Sequence, residues 1–293
     1  MMKTPVQVIT LLLGWLLLLC PPVYSQSVSP VALPGTELRP IVSSVLKGET
    51  YQLLVHLPDN YDPGKKYDVL FVLDGVGAFS TAINCLGILH GECDKSYNEP
   101  LLIGISDGAE IGKPGNKRDR DFTPTAFKTE WGSGGGGGGP AFLRFLEEEV
   151  IPYVEKQYSV TKNRAIYGYS YGGLFTSYVL LAKPKLFNKV LIGSPSLFAD
   201  NGVIFRKFEP DYARAHTDLP VNVWLSVGEK DEFLVDDTKK FAGVLKNRKY
   251  PSLRLQTATL SGLNHLTGIQ PTMLQAFKWA YCETQTATPK SNE

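Results

Sequence analysis

Gly168-Tyr169-Ser170-Tyr171-Gly172, followed by Gly173, sets one serine among glycines in a chain of 293 residues. A strand-like run, Arg164–Tyr169, leads in and a helix-like segment, Tyr171–Leu181, leads out. That context predicts a nucleophile on a sharp strand-to-helix turn, with the Ser170 hydroxyl pushed out at the carboxyl edge of a sheet. Glycines are needed there because side chains would collide. The backbone N–H of Tyr171 would then open a helix and face the place where an oxyanion forms. The competing reading is a plain glycine turn.

A serine hydroxyl needs a base to take its proton. The chain has four histidines. His56 and His90 precede the serine, and His56 reads as structural or surface. His216 follows it, in a polar segment with no strand immediately before. His265 stands in Ser261-Gly262-Leu263-Asn264-His265, just past the last strand-like run, where the order serine, acid, histidine places a base. The acid belongs on the loop after Val221–Val227, which reads Gly228-Glu229-Lys230-Asp231-Glu232. Its task is to accept the histidine N–H, fix the tautomer and stabilise the imidazolium. Asp231, three residues past Gly228, fits best. Glu229, with its longer reach, is the alternative acid, and Asp236 is a weaker one. A second oxyanion donor is expected from Asp74-Gly75-Val76-Gly77, through the amides of Gly75 and Val76.

These residues need a frame that brings strand ends together. Apolar, β-branched runs at Tyr51–Leu57, Tyr67–Leu73, Leu101–Ile105, Arg164–Tyr169, Lys189–Ile192, Val221–Val227 and Leu253–Leu260 read as strands buried on both faces. Helices are predicted from Pro140 onward with a bend at Pro152, and over Tyr171–Leu181, Asp236–Asn247 and Pro271–Tyr281. Alternation of strand and helix predicts an α/β fold, a mainly parallel twisted sheet with helices on both faces.

The first residues read differently. Lys3, an apolar run Val8–Leu19, Cys20-Pro21-Pro22 and small residues near Ser25 have the pattern of a secretory signal peptide, and the run is short for a membrane span. The expected organisation is a signal peptide at 1–25, one hydrolase domain at 26–285 and a disordered tail at 286–293, exported to a periplasmic or extracellular space. A lipoprotein site at Cys20 is the minor alternative. Removing Lys3 takes the formal charge from +1 to 0, which gives no support to nucleic-acid binding. Three cysteines remain. Cys85 and Cys93 are close enough to bridge a loop, or all three are unlinked thiols; their spacing suggests no zinc site. Residues 106–139 form a long loop with Lys113, Lys117, Arg118 and Arg120, then Gly134–Gly139, a run that holds no regular element cheaply. No Lys-Ser/Thr follows those glycines, so they are not a phosphate loop. The cations either select an anionic, aromatic substrate or pair with the acids among them.

Several of these segments resemble one group of enzymes. They are Leu73-Asp74-Gly75, Arg120-Asp121-Phe122-Thr123-Pro124, Phe142-Leu143-Arg144-Phe145-Leu146, Gly168-Tyr169-Ser170-Tyr171-Gly172-Gly173, Ser194-Pro195-Ser196-Leu197, Val227-Gly228-Glu229 and Asn264-His265. Together they are similar to the esterase branch of the α/β-hydrolases, and within it to bacterial siderophore esterases that open ferric enterobactin or bacillibactin. The likeness runs over nearly the whole chain past the leader, in the same order. It implies an α/β-hydrolase fold and ester hydrolysis through an acyl-enzyme, on a small-molecule ester, with no metal and no cofactor. It carries the nucleophile onto Ser170 and the base onto His265. Two positions depart from the family: Phe198 stands where a tryptophan pair is common, and Tyr169 where histidine is. With Arg118, Arg120 and Trp131 they are the candidate substrate contacts. Exported acetyl or feruloyl esterases of polysaccharides, acyltransferases and a non-catalytic binding module on the same fold are the alternatives.

Overall fold

Val69 and Phe71 face one side of strand β3 (Tyr67–Val72), Leu70 and Val72 face the other, and all four are buried. Such a strand needs cover on both faces. In a computed structural model, which describes residues 33–93, 97–109, 117–128 and 134–282, β3 lies in the middle of an eight-stranded sheet. The other strands are β1 (Thr36–Val42), β2 (Thr50–His56), β4 (Leu101–Ser106), β7 (Val160–Tyr169), β8 (Lys189–Gly193), β9 (Asn222–Gly228) and β10 (Arg254–Leu260), in the order β1-β2-β4-β3-β7-β8-β9-β10. From β4 to β10 every neighbouring pair is parallel, while β2 runs antiparallel to β4 and β1 antiparallel to β2. Six strands therefore end on one edge. Helices Gly75–Glu92 and Ile269–Tyr281 cover one face through Phe79, Leu86, Met273 and Phe277. The helix Tyr171–Ala182 and the rod from Gly139 to Gln157 cover the other through Phe142, Phe145 and Phe175. The mainly parallel α/β arrangement is the one the sequence implied. No helix among the described residues is long and apolar enough to cross a membrane.

The bend expected at Pro152 has a definite form. A π-helical turn, Leu146–Val150, sits just ahead of it, and a second, Ile204–Phe208, sits just ahead of Pro210. A proline offers no N–H and crowds the carbonyl four residues back, so the bond ladder slips before it.

Five expectations need correction. β1 was not foreseen: it is a half-exposed edge strand containing Pro40, where no buried stripe marks it. Asp74–Gly77 is not a loop, since Gly75, Val76 and Gly77 begin an 18-residue helix. Helical segments Ala199–Val203 and Glu209–Ala215 were also not foreseen. The glycine run does hold a regular element: Gly134–Gly136 (β6) pairs with Ala126–Lys128 (β5). A Cβ on Gly135 would stand 2.4 Å from the Phe127 ring and 2.5 Å from Thr123 Oγ1, so close approach and not looseness requires glycine. Finally, the disulfide joins Cys93 to Cys282, across 189 residues, and Cys85 is free and buried. Cys85 lies inside the helix that Cys93 terminates, which holds the two about 12 Å apart, beyond disulfide reach. Burial pushes the Cys85 thiol up to about 11. The leader at 1–25 and the tail at 286–293 lie outside the described residues.

Candidate active site

β7 delivers Ser170, which sits with φ +60° and ψ −117° between the strand and the helix Tyr171–Ala182. A Cβ on Gly168 would lie 2.1 Å from the Gly172 carbonyl oxygen, so strand and helix can meet this closely only over glycine. The Ser170 carbonyl accepts the N–H of Leu174 at 2.9 Å and of Ser196 at 3.1 Å, which ties the turn to the loop after β8. The hydroxyls of Ser170 and Ser196 are 3.4 Å apart.

β9 and β10 deliver the other two groups. Asp231 Oδ2 is 2.8 Å from His265 Nδ1; the aspartate side chain is 5% exposed and the imidazole 38%. That bond fixes the proton on Nδ1 and leaves the Nε2 lone pair open. Backbone bonds from Glu229 N–H to the Leu260 carbonyl and from Lys230 N–H to the Leu263 carbonyl stitch the two loops together. Glu229 is spent on that stitching: its Oε2 accepts the Ser261 hydroxyl at 2.7 Å and the Gly262 N–H at 2.8 Å. The Gly262 N–H and then the Ser261 hydroxyl hold its carboxyl below the ordinary range.

Tyr169 joins the serine turn to the histidine loop. Its hydroxyl donates to the His265 carbonyl at 2.7 Å, and its ring centroid lies 5.1 Å from that of His265. Burial pushes the phenol up to about 12, so it is a neutral donor. The sequence reading sets this residue against the substrate; in the structure it is buried and ties the chain at Ser170 to the backbone of the histidine loop.

Two helix N-termini open on the same edge, at Tyr171 and at Gly75–Val76. First-turn amides have no partner within their own helix and carry a partial positive charge. Asp74 precedes Gly75 in the left-handed region (φ +56°) and does not cap the helix with its side chain. Its carboxylate turns to Arg118, whose Nε and Nη2 donate to Oδ1 and Oδ2 at 2.6 and 3.1 Å, and Nη2 also donates to the Tyr169 carbonyl at 3.2 Å. Burial holds the Asp74 carboxyl above its ordinary range even with Arg118 against it.

Arg118 and Arg120 follow the second of the two readings offered for these cations, pairing with acids. Arg118 is largely buried on Asp74. Arg120 donates to Glu49 at 2.5 Å, Asp121 at 2.7 Å and the Tyr51 hydroxyl at 2.9 Å. Lys117 pairs with Glu49 at 2.9 Å. Asp74, Glu49 and Asp121 thus take up these charges, and Arg118 lines the same hollow as Gly75 and Val76. Trp131 and Lys113 lie outside the described residues. Phe198 is exposed two residues beyond Ser196. His216 stacks on Tyr212 at 4.2 Å, away from these loops in the chain, and His56 and His90 both contact Glu99. Sequence reasoning missed Ser196, although it noted the segment Ser194-Pro195-Ser196-Leu197. The signal was its place after a strand ending on the same edge.

The esterase family model ("Putative esterase") matches residues 43–268. The ferri-bacillibactin esterase BesA of Bacillus subtilis is 30% identical over 264 residues, which cover 85% of this chain and 90% of that protein. Among solved structures, the BES protein from Bacillus cereus superposes with a TM-score of 0.75 at 24% identity, covering 87% of this chain and 97% of that one. The siderophore hydrolase EstA from Aspergillus nidulans does so with a TM-score of 0.75 at 22% identity, covering 87% and 98%.

Proposed function

The chain belongs to the esterase family, an ester hydrolase by that membership, and from that premise we propose that Ser170, His265 and Asp231 open a siderophore trilactone through an acyl-enzyme. The observation that carries this reading is the Asp231–His265 bond of 2.8 Å held beside the Ser170 turn by Tyr169. In the proposed reaction the Ser170 hydroxyl rotates from Ser196 toward Nε2 of His265 and gives up its proton as it attacks the ester carbonyl. The imidazolium is stabilised by Asp231. The amides of Tyr171, Gly75 and Val76 hold the tetrahedral oxyanion, each worth roughly 3–4 kcal/mol in such a site. His265 then protonates the leaving alcohol, and water, deprotonated by the same histidine, releases the acid and restores Ser170.

The substrate class rests on two supports. BesA carries ferri-bacillibactin in its name and EstA is a siderophore hydrolase. Around the site loops, Val76, Phe198, Phe233 and Leu266 are 44%, 46%, 88% and 77% exposed, each within two residues of a proposed active-site group or of Ser196. An apolar rim of this kind recognises aromatic rings by buried area more than by charge. Residues 1–25 act as a signal peptide in this reading and the hydrolase domain, 26–285, works outside the cytoplasm.

A hydrolysis panel tests the proposal: a catecholate trilactone, an aryl acetate, acetylated and feruloylated sugars, with products identified by mass. The trilactone is expected to give the highest kcat/KM, and Phe198→Ser with Phe233→Ser to raise its KM by several-fold. Preference for a sugar ester would replace the substrate class and leave the serine chemistry standing. Transfer of the acyl group to an alcohol in place of water would make the protein an acyltransferase.

A further inference from the structure

On the sheet edge opposite Ser170, four polar residues from three segments meet. His56 ends β2, Asp59 follows it, His90 lies in the last turn of the helix Gly75–Glu92, and Glu99 stands just before β4. A helix rises about 1.5 Å per residue, so His90 is roughly 22 Å from Gly75 and the oxyanion amides. Glu99 is buried. Its Oε1 is 3.3 Å from His56 Nε2 and its Oε2 is 2.9 Å from His90 Nε2, while the Asp59 N–H donates to Oε2 at 3.3 Å. Side-chain donor atoms of Asp59, His90 and Glu99 all fall within 4.8 Å of one another.

We propose that Asp59, His90 and Glu99 bind one zinc ion, with His56 holding the carboxylate of Glu99 in place from its other oxygen. A tetrahedral zinc with ligands at about 2.0–2.1 Å keeps them roughly 3.3 Å apart, close to the His90–Glu99 separation. An imidazole with two carboxylates suits zinc better than calcium or magnesium, which take oxygen ligands throughout. The two carboxylates balance the charge of the ion. Glu99 is fixed by burial, whereas His90 is 46% exposed and Asp59 lies at the surface, so the ion has an entry path and a fourth position for water. Binding replaces the His90 Nε2···Glu99 contact: the neutral ring carries its single proton on Nδ1, exchanged there through solvent, and the Nε2 lone pair becomes the ligand with no net proton released. The ion would clamp the turn after β2, the end of the helix and the entry to β4, beside the Cys93–Cys282 disulfide.

The test uses the full chain stripped with a chelator and titrated calorimetrically with zinc chloride, then with cobalt(II) followed by visible absorption. One equivalent of zinc is expected, with the strong visible bands of four-coordinate cobalt. His90→Gln and Asp59→Asn, both at positions open to solvent, should each weaken binding about 100-fold or more, since even an outer partner of a ligand is worth 10–100-fold. Ester hydrolysis by these variants should equal that of the parent chain. No zinc uptake, or uptake undiminished in both variants, overturns the proposal. Glu99→Gln is left out because its burial confounds folding with binding.

Discussion

Two regions meet at Tyr169. The loops that carry Ser170, Asp231 and His265 hold their polar groups by backbone bonds and leave reactive atoms open. The stretch Lys117–Asp121 holds its charges against each other and against Asp74 and Glu49. One side of Tyr169 donates to the histidine loop and its carbonyl receives Arg118 from the other. Density of charge thus does not mark the proposed site. In the proposed mechanism the region with the fewer formal charges carries the chemistry, and the cationic one supports it.

That contrast can be broken by substitution. The largest effect is expected at the acid. Asp231→Asn should lower kcat by about 10⁴, the loss seen when an amide leaves the histidine in the wrong tautomer in the serine-protease triad. Glu229→Gln should leave kcat within a few-fold and lower the melting temperature, because it loosens Ser261 and Gly262. A reversed pattern would move the acid to Glu229. Next comes Arg118→Met, which strands Asp74 in the interior. A broken buried pair costs about 3–5 kcal/mol, and the lower end applies because Asp74 can take up a proton. The urea midpoint should fall at neutral pH and recover part of the loss on acidification. A raised KM with an unchanged midpoint would instead return Arg118 to the substrate.

The smallest effect concerns Glu49. Hydrogen bonding from Arg120, opposed by burial and helped by Lys117, holds its carboxyl down to about 2 from 4.5. A depressed carboxylate contributes stability that is whole above pH 4.5 and is lost as pH falls toward 2. Solvent screening of this part-exposed pair reduces the contribution to about 1 kcal/mol. Glu49→Gln should remove that share of the acid sensitivity between those limits, checked by urea denaturation at pH 6 and pH 3. Unchanged acid sensitivity in the variant would mean that the pair is not coupled to folding.

The same contrast explains what could be read from the residues alone. Ser170, Asp231 and His265 each follow a strand by a few positions, so periodicity and turn residues were enough to place them. The seven apolar runs were legible as strands for the same reason, but β10 lies at the sheet edge with none of its residues buried, not covered on both faces as its composition implied. Arg118 and Asp74 are 44 residues apart, Arg120 and Glu49 71, and Cys93 and Cys282 189, and nothing local announces such partners. Gly75-Val76-Gly77 reads as a turn because glycine disfavours helices, yet burial of Phe79, Leu86 and Leu89 makes it the start of one. Tyr169 was read from a family position as a substrate contact, and its partner, the carbonyl of His265, could not be seen from sequence.

The most direct test of the account is the chemistry of Ser170 itself. The folded protein is treated with an organophosphonate ester probe and analysed by intact mass and peptide mapping. One adduct is predicted, on Ser170, with loss of ester hydrolysis in step with labelling; Ser170→Ala should fold, take no label and turn over no ester. Labelling at another residue, or hydrolysis undiminished in a folded Ser170→Ala variant, would contradict it.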